Sequence, residues 1–361
     1  MSTLNAAYWH ALNILNIGSL WKFWEISKNF SNIQRMYEAS AHELLKLGAN
    51  PQAVDKLCIG RRKIDPVQEM NKITRAGIQI LTRHDSDYPE RLQHIHSSPP
   101  LIYVRGNAKC LKSESLAFVG SRKISSYGKN IIKQLVPSIC ELDVSIVSGM
   151  AYGVDAVSLE TCLEHGGTPI AVLASSLSYE EIAPKAHLDL ARQIEQAGCL
   201  ISENPPGSFI GKMHFPLRNR IISGLSLGIV VVEAGLKSGS LITAKYGLDH
   251  GKEVFAVPGT IFSPNSEGTL ELIKRGARCV TSAKDITQEF GWDTRINKNV
   301  LNLTSPVHQK IMDCLSVGYN NIDAILENTT LTSNQILSGI TELEIMGALQ
   351  RSGNGVYHKT R

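Results

Sequence analysis

The sequence has no strong excess of charge of either sign, and this limits the ways in which it could bind a polyanion. Its 361 residues include 37 Lys and Arg against 33 Asp and Glu, a formal net charge of +4. Charge of this size does not by itself indicate nucleic acid or an anionic membrane surface as a partner. Any site for a polyanion must therefore be built from cationic residues that cluster locally.

Long hydrophobic runs are also missing. The longest, GIVVVEAG, is far shorter than the roughly 20 residues that a membrane-spanning helix needs. The first residues, MSTLNAAYWHALN, lack the charged and then apolar plan of a signal peptide. We therefore expect a cytoplasmic protein with no membrane partner.

Patterns that hold metals, disulfides or nucleotides are absent as well. The seven cysteines include no CxxC pair and the histidines no HExxH spacing, so we predict neither a disulfide framework nor a metal site. No GxxxxGK[ST] occurs, and no GxGxxG follows a strand-like run. GLSLG at 224–228 matches GxSxG, but a helix-like segment precedes it and a strand-like run follows it, the reverse of a nucleophile elbow. The sequence thus predicts no cofactor and no catalytic residue.

What the sequence does contain is an ordered change of pattern along the chain. Residues 1–65 read as short helices, and from residue 77 nine short β-branched runs alternate with helical segments. Runs that are apolar throughout are typical of parallel strands buried on both faces. We predict an α/β fold with a doubly wound, Rossmann-like, mostly parallel sheet at 71–292, after a helical domain at 1–70. A polar linker at 293–304 and a winged helix at 305–361 complete the predicted domains.

Four predicted loops that lead from a strand into a helix combine glycine with hydroxyl residues: GSRKISSYG, SGMAYGVD, PPGSF and AGLKSGSLITA. In such sheets ligands bind at the carboxyl ends of the strands, where free N–H groups of loops and helix starts can face an anion. The cations among these loops are Arg122, Lys123, Lys212, Arg218 and Arg220. We interpret this edge as a site for a phosphate-bearing ligand, although any single loop could be only a tight turn. Glu233, which ends VVVE, is either a general acid or base or a cap for its neighbouring loop.

The segment MHFPLRNRIISG, residues 213–224, places two arginines between an aromatic residue and a pair of isoleucines. An unpaired guanidinium on an apolar helix face is costly and does not neutralise, so we expect Arg218 and Arg220 to face an anion. The competing interpretation makes Phe215 a core residue and pairs at least one arginine with a carboxylate such as Glu203 or Glu233.

The motifs FVGSRKISSYG, VSGMAYGVDAVSLETCL, LISENPPG, HFPLRNRIISGLS, VVVEAGLKSGSLITA and VFAVPGTIF occur in this order, and together they resemble the DNA processing protein A (DprA/Smf) family. The resemblance covers about residues 75–290 and implies an extended Rossmann domain, with sterile-alpha-motif-like helices before it and a winged helix after it. It also implies a non-enzymatic homodimer that binds single-stranded DNA and passes it to the recombinase RecA during natural transformation. The alternative is an enzyme or sensor for a nucleotide-derived small molecule, using GLKSGSLITA and Glu233.

The resemblance and the glycine-rich loops together assign residues to these functions. The phosphate-facing arginine and lysine of the family fall on Arg122 and Lys185, and Phe215 would be the flat ring on which a base stacks. The residues predicted to contact single-stranded DNA are Arg122, Lys185, Phe215, Arg218, Asn219, Arg220, Ser121, Gly149, Ser238, Gly239 and Ser240. The resemblance places the dimer interface near Leu270, Lys274 and Cys279.

Some positions depart from the family pattern. Tyr152 stands where the family usually has an arginine, Leu159 where it has a histidine, and SLSYEEIAP replaces a shorter loop, so Lys185 is aligned only to within a residue or two. We expect weaker DNA binding at that edge. The expected counterpart of a recognition helix, TSNQILSGITELEIMG, carries Glu342 and Glu344 and no Lys or Arg, which favours a protein contact or a structural role over reading of a DNA groove.

Overall fold

Nine strands form one sheet in the first of two compact units, Met1–Ile286. The computed structural model describes residues 3–16, 20–292, 305–345, 349–352 and 355–359, so the predicted linker at 293–304 lies outside the described residues. The strands are β1 Gln79–Thr82, β2 Leu101–Gly106, β3 Ser115–Val119, β4 Ser145–Ser148, β5 Pro169–Leu173, β6 Cys199–Ser202, β7 Gly228–Val231, β8 Glu253–Ala256 and β9 Arg278–Cys279. Each corresponds to one of the nine predicted runs, and the α/β class is confirmed.

The order of the strands is β1-β2-β6-β5-β4-β3-β7-β8-β9. All pairs from β6 through β9 are parallel, whereas β2 runs antiparallel to both β1 and β6. The sheet is therefore mixed and mostly parallel, as predicted. Parallel neighbours need crossover connections, and the helical segments between the strands supply them.

The helices of the first unit fall into two groups. The N-terminal group is α1 Thr3–Ile14, α2 Leu20–Ser27, α3 Ile33–Glu38, α4 Ala41–Lys46, α5 Pro51–Gly60 and α6 Pro66–Arg75. Those associated with the sheet are α7 Glu90–Gln93, α8 Ser126–Cys140, α9 Val154–Glu164, α10 Leu188–Ala197, α11 His214–Leu225, α12 Ser240–Asp249, α13 Glu267–Lys274 and α14 Ala283–Glu289, the last of which ends in the second unit.

Local sequence explains where several N-terminal helices begin. The side chains of Asn50 and Asp65 accept hydrogen bonds from the first N–H groups of α5 and α6, and each is followed by a proline at the first helical position. Proline fits there because its missing N–H would have no partner within the helix. Ser40 caps α4 in the same way. These caps stop one short helix and start the next, so the segment folds as a bundle.

The sheet is buried on both faces, and alternation along β2 shows how. Leu101 and Tyr103 pack in one hydrophobic cluster with the N-terminal helices, whereas Ile102 and Val104 pack in a second cluster with α11. This is the period of two that a strand imposes on its side chains. The N-terminal helices therefore cover one face of the antiparallel part of the sheet. The domain boundary predicted at residue 70 stays a prediction.

His10 of α1 joins these helices to the sheet. Its Nδ1 lies 2.8 Å from the hydroxyl oxygen of Tyr103, and both side chains are buried. Burial lowers the pKa of His10 to about 4, so the imidazole is neutral in the folded protein at pH 7. In the unfolded chain its pKa returns to about 6.5.

This pair predicts a loss of stability in mild acid. Between about pH 6.5 and about pH 4 the unfolded chain binds a proton at His10 that the folded protein does not, so stability falls as pH falls through this window, by at most about 3 kcal/mol. Urea unfolding at about pH 7 and about pH 4.5 measures the loss. His10→Asn retains a hydrogen-bonding group for Tyr103 and should lose less stability over the same change. An identical change in both proteins would contradict the prediction.

The second compact unit, Thr287–Arg361, has a core of its own. It contains α15 Pro306–Val317, α16 Ile322–Glu327 and α17 Ser333–Ile345, followed by the antiparallel strands β10 Leu349–Ser352 and β11 Val356–Lys359. Three helices followed by a two-stranded ribbon are the elements of the predicted winged helix. Residues 353–354 of the predicted turn lie outside the described residues.

Candidate nucleic-acid interface

The candidate site lies where the order of the parallel strands reverses. From β3 the chain adds β4, β5 and β6 on one side, and later β7, β8 and β9 on the other. Loops at the carboxyl ends of the strands diverge at such a point and leave a crevice for a ligand. The two loops here are residues 120–125 after β3 and 232–239 after β7. The N–H of Ser121 donates to the main-chain oxygen of Glu233 at 2.7 Å and so joins them.

The side chain of Glu233 is a cap for the first loop. It is buried, and its carboxylate accepts hydrogen bonds from the N–H of Ser125 at 2.9 Å and from the hydroxyl of the same serine. Ser125 in turn caps α8 by accepting from the N–H of Gly128 at 3.2 Å. Of the two roles that the sequence allowed for Glu233, the geometry favours the cap.

A cavity of about 470 Å³ lies beside this carboxylate. It is lined by Ser125, Tyr127, Glu233, Pro258, Gly259, Thr260, Ser263 and Ser266. The hydroxyl of Tyr127 donates to the main-chain oxygen of Pro258 at 2.7 Å at one side of it. The size and the hydroxyl-rich lining fit a small polar molecule, which is the observation that supports the small-molecule alternative.

Arg122 and Phe215 form the part of the site that faces outward. Arg122 is exposed and Phe215 is partly exposed, and the guanidinium carbon lies 5.7 Å from the centroid of the ring. A cation at this distance over an aromatic face is attracted by the ring quadrupole. The pair presents a charged donor for a phosphate next to a flat surface for a base, the two groups that binding of single-stranded nucleic acid requires.

Arg218 points into the protein instead of outward. It is buried, and its guanidinium donates to the main-chain oxygens of Gly149, at 2.7 Å, and of Val172. A Cβ atom on Gly149 would lie 2.4 Å from the guanidinium, so the glycine allows this close approach. Burial lowers the pKa of Arg218 to about 10, and the side chain is still protonated at neutral pH.

Asp155 supplies a negative charge that acts on Arg218. Its attraction opposes the effect of burial on the pKa of Arg218, and burial raises the pKa of the Asp155 carboxyl itself. The carboxylate also accepts hydrogen bonds from the N–H groups of Gly149 at 3.2 Å and of Ala151 at 3.4 Å. Arg218 and Asp155 therefore both hold the loop after β4 through hydrogen bonds to its main chain.

Asn219 connects the same helix to the loop before α12. Its Nδ2 donates to the main-chain oxygen of Gly239 at 3.3 Å, and its Oδ1 accepts from Nε of Arg218 at 3.1 Å. The hydroxyls of Ser238 and Ser240 lie 2.7 Å apart in that loop. The structure thus brings α11, the loop after β4 and the loop after β7 together at one edge of the sheet.

Arg220 makes the salt bridge that the competing interpretation anticipated. Its Nη2 lies 2.7 Å from Oε1 of Glu203, and both side chains are largely buried. Since its charge is matched inside the protein, Arg220 contributes less net charge to the surface than Arg122 does. The expectation that both arginines of the segment face an external anion thus gives way to Asp155 and Glu203.

Comparison with known proteins assigns the fold to a family. The model of the DNA recombination-mediator protein A family matches residues 79–291, and a DprA winged helix domain model matches residues 301–355. The chain belongs to the DNA recombination-mediator protein A family. This confirms the resemblance, and the second match agrees with the predicted winged helix.

Individual members of this mediator family agree with the match. The DNA processing protein DprA of Bacillus subtilis is 34% identical over 278 residues, which cover 77% of this chain and 91% of that protein. The X-ray structure of DprA from Streptococcus pneumoniae has a TM-score of 0.69 and 31% identity, covering 80% of this chain and 98% of that one. DNA processing protein A from Helicobacter pylori, described for its single-stranded DNA binding mode, has a TM-score of 0.54 and 27% identity, covering 60% and 98%.

Lys185 lies in a short 3-10 helix, Lys185–His187, between β5 and α10. It is exposed, and its Nζ donates to the main-chain oxygens of Glu180 and, at 3.4 Å, of Tyr179. Its predicted phosphate contact stays a prediction.

The residues predicted for the mediator dimer lie at one edge of the sheet. Leu270 and Lys274 belong to α13 and Cys279 to the edge strand β9. Leu270 is partly exposed, and Lys274 and Cys279 are exposed. An edge strand presents unpaired main-chain groups that a second chain could meet. The dimer itself stays a prediction.

Sequence reasoning missed one feature of this surface. Tyr152 and His187 form an edge-to-face pair with ring centroids 4.9 Å apart. The sequence presented Tyr152 only as the loss of an arginine, because the two residues are 35 positions apart and no periodicity links them. A polar aromatic residue in a glycine-rich loop was the one signal available.

Two further expectations concern metals and membranes. Within the described ranges, no three side chains of the metal-ligating types lie close enough to hold an ion. Across the same part of the chain, no helix has the length and apolar character needed to cross a bilayer.

Proposed function

We propose that this chain binds single-stranded DNA across the edge formed by α11 and the loops after β3, β4 and β7, and acts as a recombination mediator in natural transformation. The observation that carries the proposal is the pairing of exposed Arg122 with the ring of Phe215 at this edge. A strand bound without sequence preference needs such a cation for its phosphates and such a ring for its bases. The family membership, and the single-stranded DNA binding described for the Helicobacter relative, support the same function.

The proposal divides the predicted contacts into two groups. Arg122, Phe215, Lys185 and the hydroxyl residues of the loops would touch the strand. Arg218 and Asn219 would position those loops, because their side chains donate hydrogen bonds to the main-chain oxygens of Gly149 and Gly239. The proposal needs no catalytic residue, since no bond in the strand is broken, and a cytoplasmic location would place the chain with its substrate.

Two partners belong to the proposal as well. A second copy would pair through the surface of Leu270, Lys274 and Cys279, and RecA would receive the strand. The winged helix would serve a protein contact or a structural role. Glu342 of α17 supports this, because it lies 2.7 Å from the imidazole of buried His308 and so stabilises the unit's own core.

The first test is fluorescence anisotropy of a labelled oligothymidine of about 16 nucleotides against the full chain. We expect binding of the single strand, weaker binding of a duplex of the same length, and a fall in affinity of at least tenfold between about 50 and about 200 mM salt. Salt-sensitive preference for the single strand is the expected result.

The competing result would redirect attention to the cavity beside Glu233. Absence of single-strand binding at low salt would overturn the proposal. Thermal stabilisation by a nucleoside monophosphate at millimolar concentration, lost in Thr260→Val, would then favour the small-molecule function, because Thr260 lines that cavity.

A further inference from the structure

A second aromatic surface lies beside the Arg122–Phe215 pair and is not part of the predicted contacts. Tyr152, in the loop after β4, is 50% exposed although its neighbours Met150 and Val154 are fully buried. A half-exposed aromatic ring offers an apolar face with a polar edge to a ligand outside the chain. What surrounds the ring indicates which ligand that would be.

The ring of Tyr152 is held in position by His187. The two rings meet edge to face at 4.9 Å, and Nδ1 of His187 lies 2.9 Å from the main-chain oxygen of Met150 in the same loop. His187 thus contacts the loop twice, once through its ring and once through its nitrogen. A ring that is fixed before binding loses little conformational entropy when a ligand stacks on it.

The loop of Tyr152 is also fixed to the loop of Arg122. The residue after Tyr152 is Gly153, with φ of +80°, and a Cβ atom there would lie 2.2 Å from the main-chain oxygen of Ser121. The N–H of Val154 donates to that same oxygen at 3.1 Å. Only glycine allows this approach, so Tyr152 lies one residue from the contact between the two loops.

These contacts connect the aromatic groups into one strip, which we call the Phe215–His187 strip. It runs from the ring of Phe215 to the guanidinium of Arg122, through the contact between the loops to Tyr152, and from there to His187. Lys185 lies two residues before His187 and is exposed. With the Tyr152–His187 pair counted as one aromatic group, rings and cations therefore alternate along the strip.

We infer that Tyr152, supported by His187, is a second base-stacking surface for single-stranded nucleic acid. This inference rests on the proposed function. Alternating cations and rings match a polymer that alternates phosphates and bases, whereas an isolated nucleotide would use only one ring. Tyr152 therefore offers a stacking surface at the position where the family's cation is lost, and this opposes the expected weakening at this edge.

The test compares a strand that has bases with one that lacks them. Tyr152→Leu keeps an apolar side chain of similar size but removes the ring, and we expect it to bind an oligothymidine at least fivefold more weakly than wild type. Both proteins should bind an abasic oligodeoxyribose phosphate of the same length equally, because its phosphates are unchanged. Tyr152→Phe should bind like wild type, since the ring and not the hydroxyl forms the surface.

A matched control is available in Tyr246, which stacks on His250 with ring centroids 5.8 Å apart. This pair lies at the C-terminal end of α12, whereas the site is at the N-terminal end of that helix. Tyr246→Leu should therefore leave oligothymidine affinity unchanged. His187→Ala should weaken oligothymidine binding in the same direction as Tyr152→Leu, because the ring loses its support.

Each outcome decides between the two proposals. If wild type binds oligothymidine and Tyr152→Leu binds it equally well, the inference is wrong and the proposed function stands. If Tyr152→Leu weakens binding of the abasic strand as much as that of oligothymidine, the ring has only a structural role, and the inference is again wrong. Failure of wild type to bind any single strand would overturn the proposed function and this inference with it.

Discussion

Replacing Arg218 by methionine is expected to lower the free energy of unfolding by about 2 to 5 kcal/mol at pH 7, because two buried main-chain oxygens are left without a donor. Methionine fills a similar volume but removes the positive charge that acts on the buried Asp155. It also removes the donor to the main-chain oxygens of Gly149 and Val172. Urea unfolding of the two proteins measures the difference, and a loss below about 1 kcal/mol would contradict the internal role of Arg218.

The pH dependence of this variant separates charge from packing. Burial already raises the pKa of Asp155, and without Arg218 it should rise further. A carboxyl whose pKa is raised by folding binds more protons in the folded protein than in the unfolded chain. The free energy by which it destabilises the folded protein therefore decreases as pH falls. The stability gap between wild type and Arg218→Met should therefore narrow from about pH 7 to about pH 5. A second variant that adds Asp155→Asn should recover part of the stability at pH 7, because no charge is then left unpaired.

Arg218→Met also distinguishes a positioning residue from a strand contact. Because the guanidinium is buried, its removal should weaken single-strand binding by disordering the loop after β4, without changing how affinity varies with salt. Removing a cation that touches a phosphate would instead reduce the salt dependence. An unchanged salt slope with reduced affinity is the expected result for Arg218.

Most of the fold could be predicted from the sequence because its signals are local. Nine apolar, β-branched runs bounded by glycine gave the nine strands, and helix-length spacing between them required parallel neighbours. The glycine-rich loops were likewise predictable as one edge of the sheet, since the carboxyl ends of parallel strands meet there. These inferences depend on periodicity and chain direction, which a sequence records.

The direction of single side chains was harder to predict. Arg218 was expected to face an external anion, but on α11 it shares a helical face with Ile221, Ile222 and Leu225, all of which are buried. The spacing of three, four and seven residues places them together, so the helical period did carry this signal. That signal conflicted with the rule that a guanidinium avoids the interior, and the rule fails here because the main-chain oxygens of Gly149 and Val172 accept its hydrogen bonds.

Most contacts between distant segments could not be predicted. The support of Tyr152 by His187 and the close approach of Gly153 to Ser121 depend on how two loops pack, and neither leaves a periodic trace. Cys110 and Cys199 show the same limit, since their sulfur atoms lie 3.2 Å apart although the residues are 89 positions apart in the sequence. The sequence indicated which loops would meet, and only the structure shows which atoms do.

The strongest effect on binding is expected when Arg122 and Phe215 are both replaced. Arg122→Ala removes a phosphate contact and should weaken oligothymidine binding about tenfold while reducing the salt slope by about 0.7. Phe215→Ala removes a stacking surface and should also weaken binding about tenfold, with the salt slope unchanged. The affinity of the double variant for oligothymidine should be about a hundredfold lower than that of wild type if the two side chains act independently. Coupling between them would make the loss smaller.

That coupling is itself informative, because the guanidinium lies 5.7 Å from the ring. If the ring orients Arg122 for a phosphate, the double variant should lose less than the product of the single losses, since either change already disturbs the pair. Lys129→Ala is a suitable control, because Lys129 is an exposed cation on α8 outside the strip. If the fold-loss of affinity in the double variant equals the product of the two single losses, the ring and the cation act on separate parts of the DNA strand. Retained affinity in the double variant would show that the strand binds elsewhere on the protein.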